Sequence, residues 1–387
     1  MNTRELAKAY KEYIINLRRD LHANPELGLE EVRTSKRIKE ELDKLQIPHC
    51  EVGGTGVIGI IKGQHEGKTV ALRSDIDALP VNEANNCEYK SRNCGVMHAC
   101  GHDAHIAMLL GAAKILKEKT SEFNGTIKLI FQPDEECGRI SDKIIDEGML
   151  DGVDTAFAMH VLPDIEGGKI SIEAGPRMAG TDMFKIKVKG KGGHGAMPHQ
   201  CIDAVVVASA IVLNLQSLVS REIDPIETAV VTIGKVVAGT KGNIIAGEAE
   251  LDGTLRYFNK DLRPVLRSGI KRIVENIAST YRATATFEIE KGSIIPVVND
   301  AECSEIAKKA VDIIAGRDAI VTKEKMALGE DFSLYLDRVP GVMAFLGIRN
   351  EEKGACYPLH HESFDIDEEY LDLGAALHAQ YALEYLK

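Results

Sequence analysis

Between Met97 and His105 the chain reads Met-His-Ala-Cys-Gly-His-Asp-Ala-His, which places one thiol, three imidazoles and one carboxylate within nine residues, directly ahead of a long apolar helical pattern. Sulfur and imidazole nitrogen donors gathered at a strand-to-helix junction suit a zinc-like divalent cation. A cluster this local cannot close a coordination shell, so further donors must arrive from elsewhere. Glu135-Glu136, His160 and His360-His361 each fall just beyond an apolar segment and are the candidates. Adjacent glutamates permit a division of labour. One carboxylate binds the cation, while its neighbour takes a proton from metal-bound water and later returns it to a leaving amine.

Ordered elements must carry these groups. Helical spacing of apolar residues covers 4–21 and 29–45, broken at Asn24-Pro25-Glu26. Residues 57–61 and 69–73 read as strands joined by a short turn, 126–131 and 155–159 as buried strands, and 141–148 as a helix. Residues 103–117 form a helix for which Asp103 is the expected N-cap. Alternating strands and helices imply an α/β layer structure with helices on both faces of a sheet. Glu135 and Glu136 then follow one strand and His160 another, at the carboxyl ends where open α/β sheets bind ligands. Cys100 and His102, two apart, would point the same way from an extended segment.

The pattern changes near residue 180. Strand 182–189, helix 202–220, strands 228–237 and 247–257, helix 261–280 and strand 283–290 give β-α-β-β-α-β, the split motif of ferredoxin-like domains. Alternation resumes with helix 301–315, a helix opening at Glu330-Asp331-Phe332, strand 342–347 and helix 367–386. One catalytic domain, 1–179 with 295–387, is thus expected to be interrupted by a small domain, 180–294.

Composition narrows the function classes. A net charge of −12 over 387 residues, with scattered Lys and Arg, argues against a nucleic-acid surface. The absence of Trp disfavours a stacking platform. The charged, amphipathic N-terminus lacks a signal core, and no stretch is expected to reach the apolar length of a membrane span. Eight cysteines without a Cys-x-x-Cys pair suggest a reducing, cytoplasmic setting in which most thiols are buried. His22 and His105, within helical patterns, read as packed or surface histidines, and the alternating Lys187, Lys189 and Lys191 as a solvated strand face.

Several longer motifs run the length of the chain. They are Arg18-Arg19-Asp20-Leu21-His22 with Pro25-Glu26-Leu27-Gly28, Arg73-Ser74-Asp75-Ile76-Asp77-Ala78-Leu79-Pro80, the 97–103 cluster and Ile130-Phe131-Gln132-Pro133-Asp134-Glu135-Glu136. Met159-His160-Val161, Gly192-Gly193-His194-Gly195-Ala196-Met197-Pro198-His199, Gly329-Glu330-Asp331-Phe332 and Leu359-His360-His361 follow. In these the chain resembles the aminoacylase/carboxypeptidase superfamily of binuclear metallohydrolases. The branch is that of indole-acetyl-amino-acid hydrolases, hippurate hydrolases and N-acetyldiaminopimelate deacetylases.

The resemblance implies a metallopeptidase-like α/β domain with an inserted ferredoxin-like domain that acts in dimerisation and as a lid. It implies two divalent metal ions per subunit (Zn, Mn, Ni or Co) on Cys100, His102, Glu136, His160 and His360, the thiolate bridging. Motif register selects His360 over His361. Glu135 would be the general base and Asp77 an orienting residue near the metals. His194 would hold the substrate carbonyl or carboxylate, and Asn243 and Arg256 the substrate carboxylate. The implied protein is a homodimeric amidohydrolase that cleaves N-acetyl, benzoyl or similar N-acyl amino acids with a metal-bridged hydroxide. A di- or carboxypeptidase is the alternative within the superfamily, and a metal-stabilised binding protein without turnover the alternative outside it. The chain departs from the usual pattern at Asp134, where Ala is usual, at Cys137-Gly138-Arg139-Ile140-Ser141-Asp142, where a glycine-rich run is usual, and at Glu362, where Pro is usual.

Overall fold

Strands whose residues are buried on both faces need cover on both sides, and that requirement shapes the larger part of this chain. Thr69–Asp75, Thr126–Gln132, Thr155–Glu166 and Gly341–Arg349 are buried almost throughout. They form the parallel centre of a seven-stranded mixed sheet. Its order is His49–Val52, Gly56–Lys62, Thr126–Gln132, Thr69–Asp75, Thr155–Glu166, Gly341–Arg349, Ile170–Ser171. Antiparallel pairs close both margins. The computed structural model describes residues 1–387 and divides into two compact units. One is Met1–Gly175 with Val298–Glu324 and Asp331–Lys387; the other is Pro176–Val297 with Lys325–Glu330.

In the larger unit the helices His102–Glu118 and Leu371–Tyr385 are buried nearly all round, as expected of helices at the centre of a large domain. The two strands expected to be joined by a short turn are consecutive but do not pair. Thr126–Gln132 lies between them, antiparallel to Gly56–Lys62 and parallel to Thr69–Asp75. Asp103 is not the cap of its helix. Gly101, at φ 85°, holds that position, and Asp103 turns inward to the fully buried Arg18. A buried guanidinium needs its counter-charge more than the helix needs a side-chain cap. The expectation for the thiols fails too, since only Cys100, Cys201 and Cys303 are buried.

The smaller unit is a four-stranded antiparallel sheet in the order Ala229–Ala238, Glu248–Tyr257, Gly180–Lys189, Thr284–Ile289. With helices Ala204–Ser217 and Leu262–Thr280 it makes the ferredoxin-like motif. The segment Lys325–Glu330 joins it from much later in the chain, which no local pattern announced. Contrary to expectation, one stretch does reach the apolar length of a membrane span. Ala204–Glu222 is 19 residues long with a mean hydropathy of 1.6, long and apolar enough by length and composition to cross a bilayer. Its apolar excess has a local use: Val207, Ala208, Ile211 and Leu215 are buried in the same core as Phe184, Ile186, Val188, Leu251 and Leu255 of the sheet.

Asp182 ties this unit together. Its buried carboxylate accepts from Arg267 Nε at 2.7 Å and Nη2 at 2.8 Å, and from Arg263 Nη2 at 3.2 Å. Burial opposes its charge, but the two guanidiniums prevail and hold its carboxyl below the usual value. Because the folded value is the depressed one, this contribution is complete above the unfolded value of about 3.9 and fades as pH falls below it. Asp182→Ala is expected to cost about 2 kcal/mol at neutral pH, less than a fully buried pair because both arginines are partly exposed. Urea denaturation of both proteins should show this gap narrowing from pH 5 towards pH 3.

Candidate metal centre

The centre of the larger unit is built where the chain turns from Ala99 into the helix at His102. Gly101 makes the turn in the left-handed region, so Cys100 and His102 do not flank an extended segment as expected. They converge through the turn instead. A Cβ at position 101 would sit 2.4 Å from Val161 Cγ2, so glycine is required by space as well as by backbone angle.

Donor atoms of Cys100, His102 and His160 lie within 4.8 Å of one another, as do those of Cys100, Glu136 and His360, and those of His102, Glu135 and Glu136. Cys100 Sγ is 3.4 Å from His160 Nε2. Glu136 Oε1 is 3.8 Å from His102 Nε2 and 3.4 Å from His360 Nε2. Two of these rings are turned by a bond at their other nitrogen. His160 Nδ1 donates to the Val161 carbonyl at 2.7 Å, and His102 Nδ1 donates to the Asp77 carbonyl at 2.9 Å. Asp77 also accepts the Glu136 amide on Oδ2 at 3.0 Å, so one residue orients two donors. His360 sits at φ 66°, its amide donating to the Ala99 carbonyl at 2.8 Å, which hangs its loop directly on the Cys100 turn.

These residues fit a divalent cation. His102 Nε2 and Glu136 Oε1 are buried and have no hydrogen-bond partner in the protein, an arrangement that costs free energy unless an ion or water fills it. Charge points the same way. Burial and the carboxylates of Glu136, Glu135 and Asp75 push the Cys100 thiol up. Burial would lower His102, yet Asp75, Asp77 and Glu136 outweigh it and raise the imidazolium to about 10. Burial also opposes charge on Glu136, but His360 and His102 hold its carboxyl below the usual value. A pocket that wants positive charge this strongly is suited to a metal ion.

Several participants are ones to which the sequence assigned no part. Arg73, fully buried, donates to Asp75 Oδ2 at 2.9 Å, Asp331 Oδ1 at 2.7 Å and Gln132 Oε1 at 3.1 Å. Asp331 in turn brings a carboxylate oxygen within 4.8 Å of one from Glu135. The available signal was an Arg-Ser-Asp sequence inside an otherwise apolar strand. His105, expected to be a packed or surface histidine, is buried with both nitrogens used. Nδ1 donates to Asp75 Oδ1 at 2.6 Å and Nε2 accepts the Val161 amide at 3.0 Å, so it braces the strand bearing His160 and has no lone pair for a metal. His22 likewise bonds Asp103 and Glu83. His361 stacks on Tyr357 at 4.7 Å and accepts the Ser363 amide, leaving His360 as the member of the pair beside Glu136.

In the smaller unit, His194 pairs with Ile244 across a short antiparallel bridge, and the Gly195 amide donates to the Asn243 carbonyl, so His194 and Asn243 are neighbours. His194 is exposed and its Nδ1 accepts the Ala196 amide, which puts the neutral ring's proton on Nε2 as a donor. Arg256 lies near the end of its strand and donates to the Ala327 and Leu255 carbonyls.

Residues 71–384 match the model of peptidase family M20/M25/M40. The chain is 41% identical over 98% of its length to thermostable carboxypeptidase 2 of Saccharolobus solfataricus, covering 96% of that protein. It is 40% identical to an N-acetylcysteine deacetylase of Bacillus subtilis, over 98% of both chains. Among solved structures it is similar to a dinuclear metal-binding M20 peptidase of Bacillus subtilis, with 37% identity, a TM-score of 0.86 and coverage of 98% of this chain and 99% of that one.

Gly101→Ala should displace the Cys100 turn and lower metal affinity by about tenfold or more. Competition against a chromophoric chelator measures it, and unchanged affinity would show that the turn does not set the donor geometry.

Proposed function

As a member of peptidase family M20/M25/M40 the chain is a hydrolase, and we propose that it cleaves the amide bond of N-acylated amino acids, using two divalent cations held by Cys100, His102, Glu136, His160 and His360. The observation that carries this reading is the buried pair His102 Nε2 and Glu136 Oε1, neither hydrogen-bonded within the protein, with the Glu135 carboxylate within 4.8 Å of both residues' donor atoms. When bound, the cations supply Lewis acidity toward the amide carbonyl and a nucleophile from water at neutral pH. The Cys100 sulfur, a soft donor, favours zinc among the candidates.

The chain's own residues divide the remaining work. Asp77 fixes His102 and the Glu136 backbone, so the two donors meet without rearranging. Glu135 takes the proton of the attacking water and delivers it to the amine nitrogen as the C–N bond breaks. The Nε2–H of His194 is assigned to the developing oxyanion, and Asn243 and Arg256 to the substrate carboxylate. A second reading, hydrolysis of peptides from the carboxyl end, is favoured by the likeness to a carboxypeptidase.

We assign the smaller unit to self-association as a homodimer. Ala229–Ala238 is an edge strand with Val230, Val236 and Val237 exposed, and Ala204–Ser217 exposes Val205, Val206 and Leu213. An unprotected apolar edge of this length calls for a partner. The exposed thiols of Cys50, Cys94 and Cys137 support a reducing, cytoplasmic setting.

Three measurements test these assignments. Glu135→Gln should retain wild-type metal content and lose about a thousandfold in kcat; a near-wild-type rate removes Glu135 as the base. Acetyl- and benzoyl-amino acids should be cleaved with higher kcat/KM than dipeptides or longer peptides, and the reverse order selects the peptidase. Light scattering should give twice the chain mass, with Val236→Lys/Leu213→Lys falling to the monomer.

A further inference from the structure

Two of the positions at which the sequence departs from its resemblance prove to be partners of each other. Asp134 is fully buried and stands at φ 61°, in the left-handed region that few residues other than glycine adopt. Its carboxylate receives Arg139 four ways: Nε at 3.0 Å on Oδ1 and 3.1 Å on Oδ2, Nη2 at 2.5 Å on Oδ1, and the backbone amide at 2.9 Å on Oδ2. The Asp134 carbonyl accepts the Gly138 amide at 2.9 Å. The chain from 134 to 139 is therefore a closed ring, and the side chains it projects between its ends are those of Glu135, Glu136 and Cys137.

The ring is also fastened from outside. The Asp134 amide donates to Glu31 Oε1 at 3.0 Å, and Glu31 Oε2 is held by the Thr55 hydroxyl at 2.7 Å. Arg139 Nη2 donates as well to the Gly28 carbonyl at 2.9 Å. Gly28 leaves the space for this: a Cβ there would lie 2.3 Å from Asp134 Oδ1. A bidentate guanidinium–carboxylate pair fixes direction as well as distance. Here it locks a left-handed residue directly before the two glutamates, and every degree of play at 134 is passed on to their side chains.

We propose that the Asp134–Arg139 pair is a positioning clamp, setting the aim of Glu136 at the metal and of Glu135 at the reacting water while touching neither. The inference rests on the metal-ligand and base roles given above to those glutamates. Arg139 is half exposed, at 49% of its side chain, whereas Asp134 is fully buried, so removing Arg139 leaves the Asp134 carboxylate without its counter-charge.

The test uses the full-length protein and the variants Asp134→Ala, Arg139→Ala, the double variant and Arg139→Lys, each read in two ways. Zinc affinity by chelator competition needs no substrate. Steady-state kinetics on the best N-acyl amino acid separate kcat from KM. Each single Ala variant should lose about tenfold in zinc affinity and about tenfold in kcat, with KM within about twofold. The double variant should be no worse than the singles, because both remove one device, and Arg139→Lys should recover part of the loss. Wild-type zinc affinity and kcat in both single variants would overturn the clamp, as would losses that multiply in the double variant, or losses that follow the melting temperature alone. Should Asp134→Ala not fold, Asp134→Asn, which keeps size and left-handed tolerance, takes its place with the same expectations. If zinc affinity falls as described but no acyl amino acid is cleaved by the wild type, the clamp stands and the substrate assignment falls. Cleavage by the wild type with unaltered affinities and rates in the variants removes the clamp and leaves the substrate assignment standing.

Discussion

Burying a thiol, three imidazoles and several carboxylates together is unfavourable unless every lone pair and charge finds a partner. In this chain the protein satisfies each of those groups on one side and leaves the other side facing its neighbours. His160 and His102 spend Nδ1 on backbone carbonyls, and Asp77 spends one oxygen on the Glu136 amide. What remains without a hydrogen bond, His102 Nε2 and Glu136 Oε1, faces the shared space. Protons balance that space by charging His102 and keeping Cys100 as a thiol, the directions in which both groups are pushed. A cation does the same work with sulfur and nitrogen both deprotonated. The sheet, the Gly101 turn and the loop of His360 serve to keep this imbalance in one place.

Two buried arginines brace that place. Arg73 stands between Asp75 and Asp331, linking the strand whose Asp75 holds His105 to the carboxylate beside Glu135. Arg18 bonds Asp103, Asp365 and Glu368, and so fastens the first turn of the His102 helix to its own helix, Lys11–His22, and to the segment before the last helix. Such pairs add little net stability, because desolvating both partners offsets their attraction. Their geometric demand is strict, however: Arg18 holds the helix that carries His102, and Arg73 holds Asp75 and the Asp331 carboxylate beside Glu135. Rigid placement of the donors is the contribution that best accounts for them.

Sequence made the donors visible and hid most of what orients them. Cys100, Glu136 and His160 are conspicuous in the sequence as sulfur, acid and imidazole beside apolar runs, although His160 stands within the strand Thr155–Glu166 and not beyond its carboxyl end as expected, and the alternation of elements is strong enough to separate the mixed sheet from the ferredoxin-like one. Pairing was less legible. Gly56–Lys62 and Thr69–Asp75 are consecutive, yet Thr126–Gln132 lies between them, a choice made by burial on both faces and not by the connecting turn. Asp103 looked like a cap because local propensity favours that position, and long-range charge balance with Arg18 overrode it. His105 and His22 looked inert because a helical pattern says nothing about what the polar end of a ring will meet. Lys325–Glu330 joins the smaller unit by a return of the chain that has no periodicity to announce it.

The departures from the resembling motifs show how such a site tolerates change. At 134 an added carboxylate would be a buried, uncompensated charge beside the base, yet Arg139, in the run where glycines are usual, supplies the counter-charge at once. At 362 the usual proline would stiffen the loop that holds His360 at its left-handed angle. Glutamate has no ring to do that, and the loop is secured through the backbone instead, the Ala84 amide donating to the Glu362 carbonyl at 2.8 Å and the His360 amide to the Ala99 carbonyl. In both cases the left-handed residue is tied to a segment remote in sequence, Asp134 through its amide to Glu31 and His360 through its amide to Ala99. Strain of this kind persists only where the surroundings over-determine it, and these bonds are what makes Asp134 and His360 so determined.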